Sequence, residues 1–401
     1  MRPRLCTHPP APLSPNALQS SGHKADRSRS MTMQSSITAD TKAHEAATRP
    51  ASEYFLYAAR QSGRSAFALG REFRRLSKAP GKLTLEEYIR YGVYRPEHSD
   101  EDRARFVSNK MHWPLVRQIN PMTFEDVCED KFVSSRMFEG SGIPTPHTLA
   151  VIDKGPRLYP GLPKVSDDDG LNVLAELVQD GPLFCKEVRG ICSFGVLVID
   201  AIDATHVHLR GRGAVTRAAF LSDAVGDAAM LVQRMERIHP ALSAWGDTIP
   251  TVRVVMTCEE DAVRLPITVI KLPTGDNLAD SFWRPGNISC DVDPETGVIR
   301  TARRKTELET EHVDTHPTSG TPIIGTQLPG WDALQDLART AARIHQPLRY
   351  QTLDVALTDR GPVLIEINAG GGFDLPQMAM GKGVMTDAFR AFWHRCGLTD
   401  L

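Results

Sequence analysis

Two acidic residues and an amide near the C-terminus are spaced as ligands of a metal ion could be. Asp354 and Glu366 flank a turn-forming segment centred on Arg360, each six residues away from it. In a hairpin folded about Arg360 the two acids are directly opposed and share one face of the sheet. Asn368, two residues beyond Glu366, lies on the same face. Opposed carboxylates repel each other, so a cation between them is expected, and this oxygen-only set suits Mg²⁺.

The hairpin itself is predicted from residue types. Residues 350–357 are rich in aromatic and β-branched side chains, residues 363–368 alternate, and the segment between them has turn chemistry. The face opposite the acids carries Val363, Ile365 and Ile367, which we expect to meet a core. A surface hairpin is the alternative, because exposed antiparallel strands also alternate. Glycines at 370–372 favour the first interpretation, since a strand ends this way when its backbone must approach something closely.

Three basic residues upstream could bind an anion. Lys186 lies in a predicted strand that precedes the glycine-containing loop 189–195, and this order can place a lysine and backbone N–H groups around phosphate oxygens. The loop is not a Walker P-loop, because the lysine precedes it and no GK[ST] follows. Arg253 and Lys271 lie in two later strands. They suit anion binding or, equally, are surface charges whose alkyl chains cover apolar neighbours.

Composition bounds the class of protein. The chain has 401 residues, 41% hydrophobic and 24% charged, as in a soluble globular protein of two or three subdomains. A net charge of −2 gives no polybasic footprint for nucleic acid or an anionic membrane. No apolar run approaches the ~20 residues that span a bilayer. The seven cysteines are odd in number and lack a CxxC pair, so a reducing cytosol fits best.

The N-terminal part divides into a tail and a helical region. Residues 1–50 are rich in Pro, Ser, Thr and Ala and are expected to be disordered, with Met31 and Met33 as alternative start sites. Residues 51–121 are predicted to be helical, beginning with an amphipathic helix over 51–78 that ends in a basic cluster. Such a helix can lie on a membrane, but it more often packs on its own protein.

The remainder, residues 122–401, mixes helices and strands, which predicts an α+β fold. The predicted helices cover 124–138, 171–178, 219–238, 331–345 and 385–396. The predicted strands before the hairpin cover 148–152, 183–188, 196–199, 206–209, 251–257 and 263–272. An acidic segment, 291–297, invites a calcium interpretation but lacks EF-hand spacing, so a hairpin loop is favoured.

Several of these motifs occur in an order that resembles the ATP-grasp superfamily, and most closely its sugar-transfer-associated branch. The resemblance extends from about Leu83 to the C-terminus. It is carried by Asp130-Lys131, Gly142-Ile143-Pro144-Thr145-Pro146, Lys186 with its glycine loop, Leu231-Val232-Gln233, Thr251-Val252-Arg253-Val254 and Asp354…Glu366-x-Asn368.

The resemblance also implies which residues form the ATP site. It implies an ATP-grasp fold in which two α+β subdomains, about 148–235 and 240–401, grip ATP. For the nucleotide, the resemblance implies that Lys131 and Lys186 contact the phosphates, that Gly190, Ser193 and Gly195 belong to a lid loop, and that Leu231, Val232 and Gln233 line the adenine pocket. It implies that Asp354, Glu366 and Asn368 bind one or two Mg²⁺ ions, with Mn²⁺ as an alternative. It also implies that Arg253 and Lys271 contact the transferred phosphoryl group or an acyl-phosphate.

The chain departs from the family pattern in two places. The lid loop carries Ile191, Cys192 and Phe194 where small residues are commoner, and segment 282–287 replaces an expected glycine pair. The activity implied is that of a carboxylate–amine ligase acting on a small-molecule or sugar-linked carboxylate and an amine. A kinase that phosphorylates a hydroxyl is one alternative, and a non-catalytic nucleotide-binding partner in surface-glycan assembly is another.

Overall fold

Helices and two separate sheets make up the computed structural model, which describes residues 49–190, 195–275, 277–282, 284 and 286–399. The predicted tail therefore lies almost entirely outside the described residues, as do Ser193 and its neighbours in the lid loop. The helices are α1 (Ala51–Ser62), α2 (Ala66–Lys78), α3 (Leu85–Arg90), α4 (Asp100–Ala104), α5 (His112–Ile119), α6 (Glu125–Glu129), α7 (Lys131–Gly140), α8 (Leu171–Leu177), α9 (Arg217–Ala219), α10 (Trp331–Ile344), α11 (Asp374–Met380) and α12 (Asp387–Arg395).

Each sheet has seven strands and comes from its own part of the chain. The first contains β1 (Thr148–Ile152), β2 (Lys164–Val165), β3 (Leu183–Glu187), β4 (Leu197–Ile202), β5 (His206–Leu209), β6 (Gly213–Thr216) and β7 (Met230–Arg234), in the order β2-β1-β7-β3-β4-β5-β6. The second contains β8 (Thr251–Cys258), β9 (Val263–Leu272), β10 (Ile288–Val292), β11 (Ile299–Lys305), β12 (Thr310–His312), β13 (Tyr350–Thr358) and β14 (Gly361–Asn368), in the order β12-β11-β10-β9-β8-β13-β14. The predicted α+β class is confirmed.

The C-terminal hairpin, β13 and β14, has the predicted pairing of its acids, but its turn is shorter than predicted and it contains a bulge. Asp354 is opposite Glu366, as expected. The turn, however, contains only two residues, and Thr358 pairs with Gly361. That tight turn would place Asp354 opposite Ile365, but a β-bulge at Ile365 shifts the register by one residue. The bulge also corrects our prediction for Ile365, which lines a cleft instead of the core.

The main core lies under the second sheet. Helix α10 packs its buried face, which includes Leu334, Ala338 and Ala341, against the inner face of β13 and β14. From the hairpin, Leu364 and Ile367 join that core. Burying leucine- and isoleucine-sized side chains is worth about 1.5–3 kcal/mol each. This packing holds the opposite face of the hairpin, with its acids, toward the first sheet.

The basic N-terminal segment forms two helices and packs on its own protein. Gly63 adopts a left-handed conformation (φ 68°) that ends α1, and Ser65 caps α2. Tyr54, Ala58, Leu69 and Leu76 are buried. Buried Glu309, between β11 and β12, accepts hydrogen bonds from Tyr57 of α1 and from Tyr94 and Arg95, and so ties the N-terminal helical region to the second sheet. Across the described residues, none of the helices combines the length and apolar character needed to cross a membrane.

Three other helix predictions need correction. The helix predicted over 219–238 is wrong: a short helix and a π-helical turn end at Gly226 (φ 66°), and Met230–Arg234 is strand β7. The helix predicted over 124–138 breaks at Asp130, whose side chain caps α7. The residue types at 99–102 also predict a helix that continues to about Met111, but this helix ends at Ala104.

The acidic segment 291–297 is a hairpin loop, as favoured. Asp293 Oδ1 accepts hydrogen bonds from the backbone N–H groups of Glu295 and Thr296, each at 2.9 Å. The aspartate therefore stabilises its own turn between β10 and β11.

His345, at the end of α10, makes the fold sensitive to acid. It is fully buried against Phe124 and Phe138, and burial lowers its pKa to about 4. Between pH 6.5 and 4 the unfolded chain binds a proton that the folded chain does not, so stability falls as pH falls, by up to about 3 kcal/mol. We expect His345→Phe to remove this component. Urea midpoints at neutral and acidic pH should then differ less than in the wild type, whereas the change of exposed His394→Gln should not alter the difference.

Candidate active site

A cleft between the two sheets gathers most of the residues singled out by sequence. Lys131 reaches it from the start of α7, Lys186 from β3 and Gln233 from β7. The second sheet contributes Lys271 from β9 and the hairpin acids, Asp354 and Glu366. The full lining is Lys131, Pro146, Phe184, Lys186, Glu187, Gly190, Val196, Gln233, Arg234, Met235, Glu236, Thr248, Ile249, Thr251, Lys271, Leu278, Ala279, Asp280, Asp354, Ala356, Ile365 and Glu366.

Asp354 is neutralised by two cations of the protein itself. Arg253, its neighbour on β8, donates from Nε and Nη2 to the two carboxylate oxygens at 2.7 and 2.6 Å. Lys271 Nζ donates to Oδ2 at 3.1 Å. Burial favours a raised pKa for Asp354, but the two cations outweigh it and hold that pKa well below its usual value. Asp354 is therefore ionised and is a poor proton acceptor.

Lys271 is shared with a second buried acid, Asp280, which sequence reasoning missed. Lys271 Nζ lies 3.5 Å from Asp280 Oδ2. That same oxygen accepts from the backbone N–H of Thr251 at 2.9 Å and from the Thr251 hydroxyl. Burial raises the pKa of Asp280, and Lys271 and Thr251 oppose the rise. The ammonium group is thus fixed between two carboxylates on the cleft wall.

Glu366 is the more open of the hairpin acids. Its side chain is 25% exposed and its carboxylate lies 3.6 Å from Lys131 Nζ. Lys186 Nζ donates to the carbonyl oxygen of Ile365, which the bulge presents to the cleft, at 3.2 Å. Burial and the nearby Lys131 lower the pKa of Lys186 to about 8, against the attraction of Glu366. The two lysines therefore face the hairpin, Lys131 from the start of α7 and Lys186 from β3 of the first sheet.

The wall around β7 extends beyond the residues predicted from sequence. Leu231 and Val232 are fully buried, and of the predicted trio Gln233 lines the cleft. The following residues, Arg234, Met235 and Glu236, line it as well. They escaped notice because this region was predicted to be helical. If the region had been predicted as a strand, its apolar run, which ends in polar residues next to a chain reversal, would have indicated these residues.

The lid loop is described in part. Gly190 lines the cleft, and its carbonyl oxygen accepts from Lys131 Nζ at 2.5 Å. Gly195 adopts φ 68° just before β4. Ser193 lies outside the described residues. Glu187, adjacent to Lys186 and also in the cleft wall, has its pKa raised by burial.

The donor set at the hairpin fits a hard cation with phosphate oxygens. Within the described ranges, no three His, Cys, Asp or Glu side chains cluster as a closed metal site. Two carboxylates and the Asn368 amide offer oxygen ligands, and Mg²⁺ usually takes one or two carboxylates and completes its shell with phosphate and water. Asn368 Nδ2 is buried without a described hydrogen-bond partner, so no such bond fixes the orientation of the amide.

Beyond the acids, further buried polar atoms at this end of the hairpin lack partners. Thr352, opposite Asn368 on the hairpin, has a buried hydroxyl without a hydrogen bond to any described residue. His112 Nε2, on α5, is also buried without a hydrogen bond to any described residue. The glycine segment explains the crowding, because a Cβ on Gly370 would overlap His112 and one on Gly371 would overlap Thr352. The close backbone approach expected of these glycines is confirmed, and it is made to side chains of the protein.

The Thr352 hydroxyl should cost the ligand-free protein stability. An unpaired buried polar group costs about 1–3 kcal/mol, so Thr352→Val should stabilise by about 1 kcal/mol. The matched control is Thr268→Val, which is equally buried but removes a hydrogen bond of 2.8 Å to Val292 and should destabilise by a similar amount. Urea unfolding of both variants measures the difference. Equal destabilisation would mean that the Thr352 hydroxyl has a partner, such as an ordered water.

Comparison with known proteins places the chain. No curated protein gives a significant sequence match. D-alanyl-alanine synthetase A from Vibrio cholerae is similar at 14% identity and a TM-score of 0.40, over 67% of this chain and 64% of that one. D-alanine–D-alanine ligase from Bacillus anthracis is similar at 15% identity and a TM-score of 0.35, over 70% and 67%. N5-carboxyaminoimidazole synthase from Aspergillus clavatus, solved with ADP, is similar at 11% identity and a TM-score of 0.33, over 66% and 51%.

The family assignment rests on a match to a family model. The model of the sugar-transfer associated ATP-grasp family matches residues 110–390, well over half of the chain. The matched range contains both sheets and all the cleft residues named above. The protein belongs to the sugar-transfer associated ATP-grasp family.

Proposed function

We propose that the protein is an ATP-dependent carboxylate–amine ligase that works through an acyl-phosphate, on a sugar-related, polysaccharide-related or amino-acid substrate. The observation that supports this most directly is the convergence of Lys131, Lys186 and Lys271 on the opposed acids Asp354 and Glu366 in one cleft. Phosphoryl transfer depends mainly on positioning and charge neutralisation, and these side chains supply both.

The proposed placement of ATP follows the cleft from its apolar to its charged end. Phe184, Met235 and Ala356 offer apolar surface for the base beside the polar Gln233 and Glu236. The phosphates then reach Lys131 and Lys186. Both lysines make contacts with the hairpin that phosphate oxygens can replace, a carbonyl in one case and Glu366 in the other.

Glu366, Asp354 and Asn368 would hold Mg²⁺, or alternatively Mn²⁺, whose positive charge would offset that of the phosphates. Lys271 and Arg253 already carry their own counter-charge on Asp354. They are therefore held in place before substrate arrives and need no reorganisation when charge develops nearby.

The chemistry proceeds in two balanced steps. A carboxylate oxygen of the substrate attacks the γ-phosphorus, the bond to the bridging oxygen breaks, and ADP leaves. The amine nitrogen then attacks the acyl carbon, inorganic phosphate leaves with the bonding electrons, and the nitrogen gives up a proton. A carboxylate is ionised at neutral pH and needs no base for the first step. Asp354, ion-paired with a depressed pKa, is a poor base, which agrees with such a nucleophile.

A kinase is the second candidate, and one residue favours it. A hydroxyl nucleophile requires a proton acceptor. Glu187 lines the cleft and burial raises its pKa, as a general base needs. In the third candidate, a non-catalytic nucleotide-binding partner, function should survive Glu366→Ala. A cytosolic location agrees with the five described cysteines being free thiols.

A screen for ADP release with pooled acids, amines and sugars tests the proposal. For a ligase, phosphate release depends on both an acid and an amine. ADP accompanied by a stable phosphorylated product, without free phosphate, would instead establish the kinase. Glu366→Ala serves as the blank.

A further inference from the structure

One exposed stripe on α2 is left over once its apolar face is buried. Phe67, Arg71, Arg74 and Lys78 recur at intervals of four, three and four residues, which aligns them on one side of a helix. The buried residues Leu69 and Leu76 lie on the other side. Phe67 is 81% exposed, the most of any large hydrophobic side chain in the described structure.

The cations of the stripe have no counter-charges of their own. Arg71, Arg74 and Lys78 are exposed, and none forms an ion pair with a described residue. The neighbouring Arg75 and Arg64, in contrast, pair with Asp100 and Glu72. The stripe is therefore an unneutralised row of positive charge about 16 Å long, with an aromatic ring at one end.

We propose that this stripe docks the protein onto an anionic lipid surface, with Phe67 inserted at the level of the headgroups. Cations on an interfacial helix are attracted to anionic lipid, and an aromatic side chain enters the boundary between headgroups and acyl chains. The docking is independent of the proposed reaction. It also differs from the sequence-based expectation, in which the apolar face of the helix would meet the membrane, because that face is used inside the protein.

Two other occupants fit the stripe less well. Residues 1–48 carry six lysines and arginines against three acids, so the tail repels a basic row. A nucleic-acid duplex would neutralise the three cations, but its phosphate backbone offers no apolar boundary for the exposed ring of Phe67. An anionic lipid surface offers negative headgroups to the cations and an apolar boundary to the ring of Phe67.

Flotation of the full chain with vesicles tests the proposal. The protein should bind phosphatidylcholine vesicles that contain phosphatidylglycerol, should not bind phosphatidylcholine alone, and should dissociate as salt is raised. Arg71→Gln with Arg74→Gln should weaken binding about 30-fold, and Phe67→Ser at least about 5-fold. The matched control is Lys154→Gln with Leu158→Ser, since these residues are also exposed but lie in a loop near the first sheet.

Three outcomes would overturn the proposal: binding that is equal with neutral vesicles, binding that the control variant weakens as much, or retention on an oligonucleotide in place of vesicles. All these substitutions are at exposed positions, so thermal melting should be unchanged and loss of binding cannot arise from unfolding. Because ADP release does not depend on the stripe, the variants should keep it, whether or not the ligase assignment holds.

Discussion

Glu366→Gln should abolish ATP turnover and leave the fold intact. The substitution keeps the shape of the side chain and removes its charge. Because Asp354 is already neutralised by Arg253 and Lys271, Glu366 is the hairpin acid with charge available to an incoming divalent ion. We expect ADP release to fall by at least about 100-fold, the scale of losing one preorganised electrostatic group.

Stability separates this effect from misfolding. Glu366 is 25% exposed and its nearest cation is 3.6 Å away, so the lost ion pair is worth under about 1 kcal/mol. The control, Glu311→Gln, also removes one ion-paired acid from the second sheet, but it lies outside the cleft and should retain full turnover. Undiminished ADP release by Glu366→Gln would contradict the role of the hairpin.

Arg253→Met should lower the free energy of unfolding by a large part of its total. Arg253 and Asp354 are 13% and 7% exposed and share two hydrogen bonds, so removal of the arginine leaves a buried carboxylate with Lys271 as its remaining cation. Breaking a buried pair in this way costs about 3–5 kcal/mol. The comparison is Arg210→Met, which breaks a hydrogen-bonded ion pair with Asp200 at 37% and 39% exposure and should cost under about 1 kcal/mol.

A double variant identifies the cause. If the cost of Arg253→Met arises from the stranded charge of Asp354, adding Asp354→Leu should recover most of it. Urea unfolding measures the stability of the single and double variants, and both should lack ATP turnover. A double variant no more stable than Arg253→Met would show that the arginine acts through packing.

The hairpin shows how far sequence reasoning reached. Counting from Arg360 placed Asp354 opposite Glu366, and the pairing is confirmed. The count succeeded because two errors cancelled: the turn is shorter than assumed, and the bulge at Ile365 restores the register. Residue types cannot reveal a bulge here, since Leu364 and Ile365 are equally suited to either face. The bulge has its own consequence, because it turns the Ile365 carbonyl toward Lys186.

Other residues of the cleft were beyond sequence reasoning for different reasons. The run Met230–Val232 is buried on both faces, and such runs do not distinguish a strand from a helix by periodicity. Asp280 belongs to no motif, and its importance comes from Thr251 and Lys271, which only the folded sheet brings to it. The helix starts at Thr84 and Ser99, in contrast, follow from local residue types, and each forms a capping box in the structure.

Trapping the proposed acyl-phosphate tests the central claim most directly. Hydroxylamine attacks an acyl-phosphate and releases phosphate, so it replaces the amine substrate, whose identity is then not needed. With ATP, Mg²⁺ and pooled carboxylic acids, the wild type should form a hydroxamate together with equal amounts of ADP and phosphate, and Glu366→Gln should form none. ADP formed with a stable phosphorylated product, and without hydroxamate or free phosphate, would contradict the account.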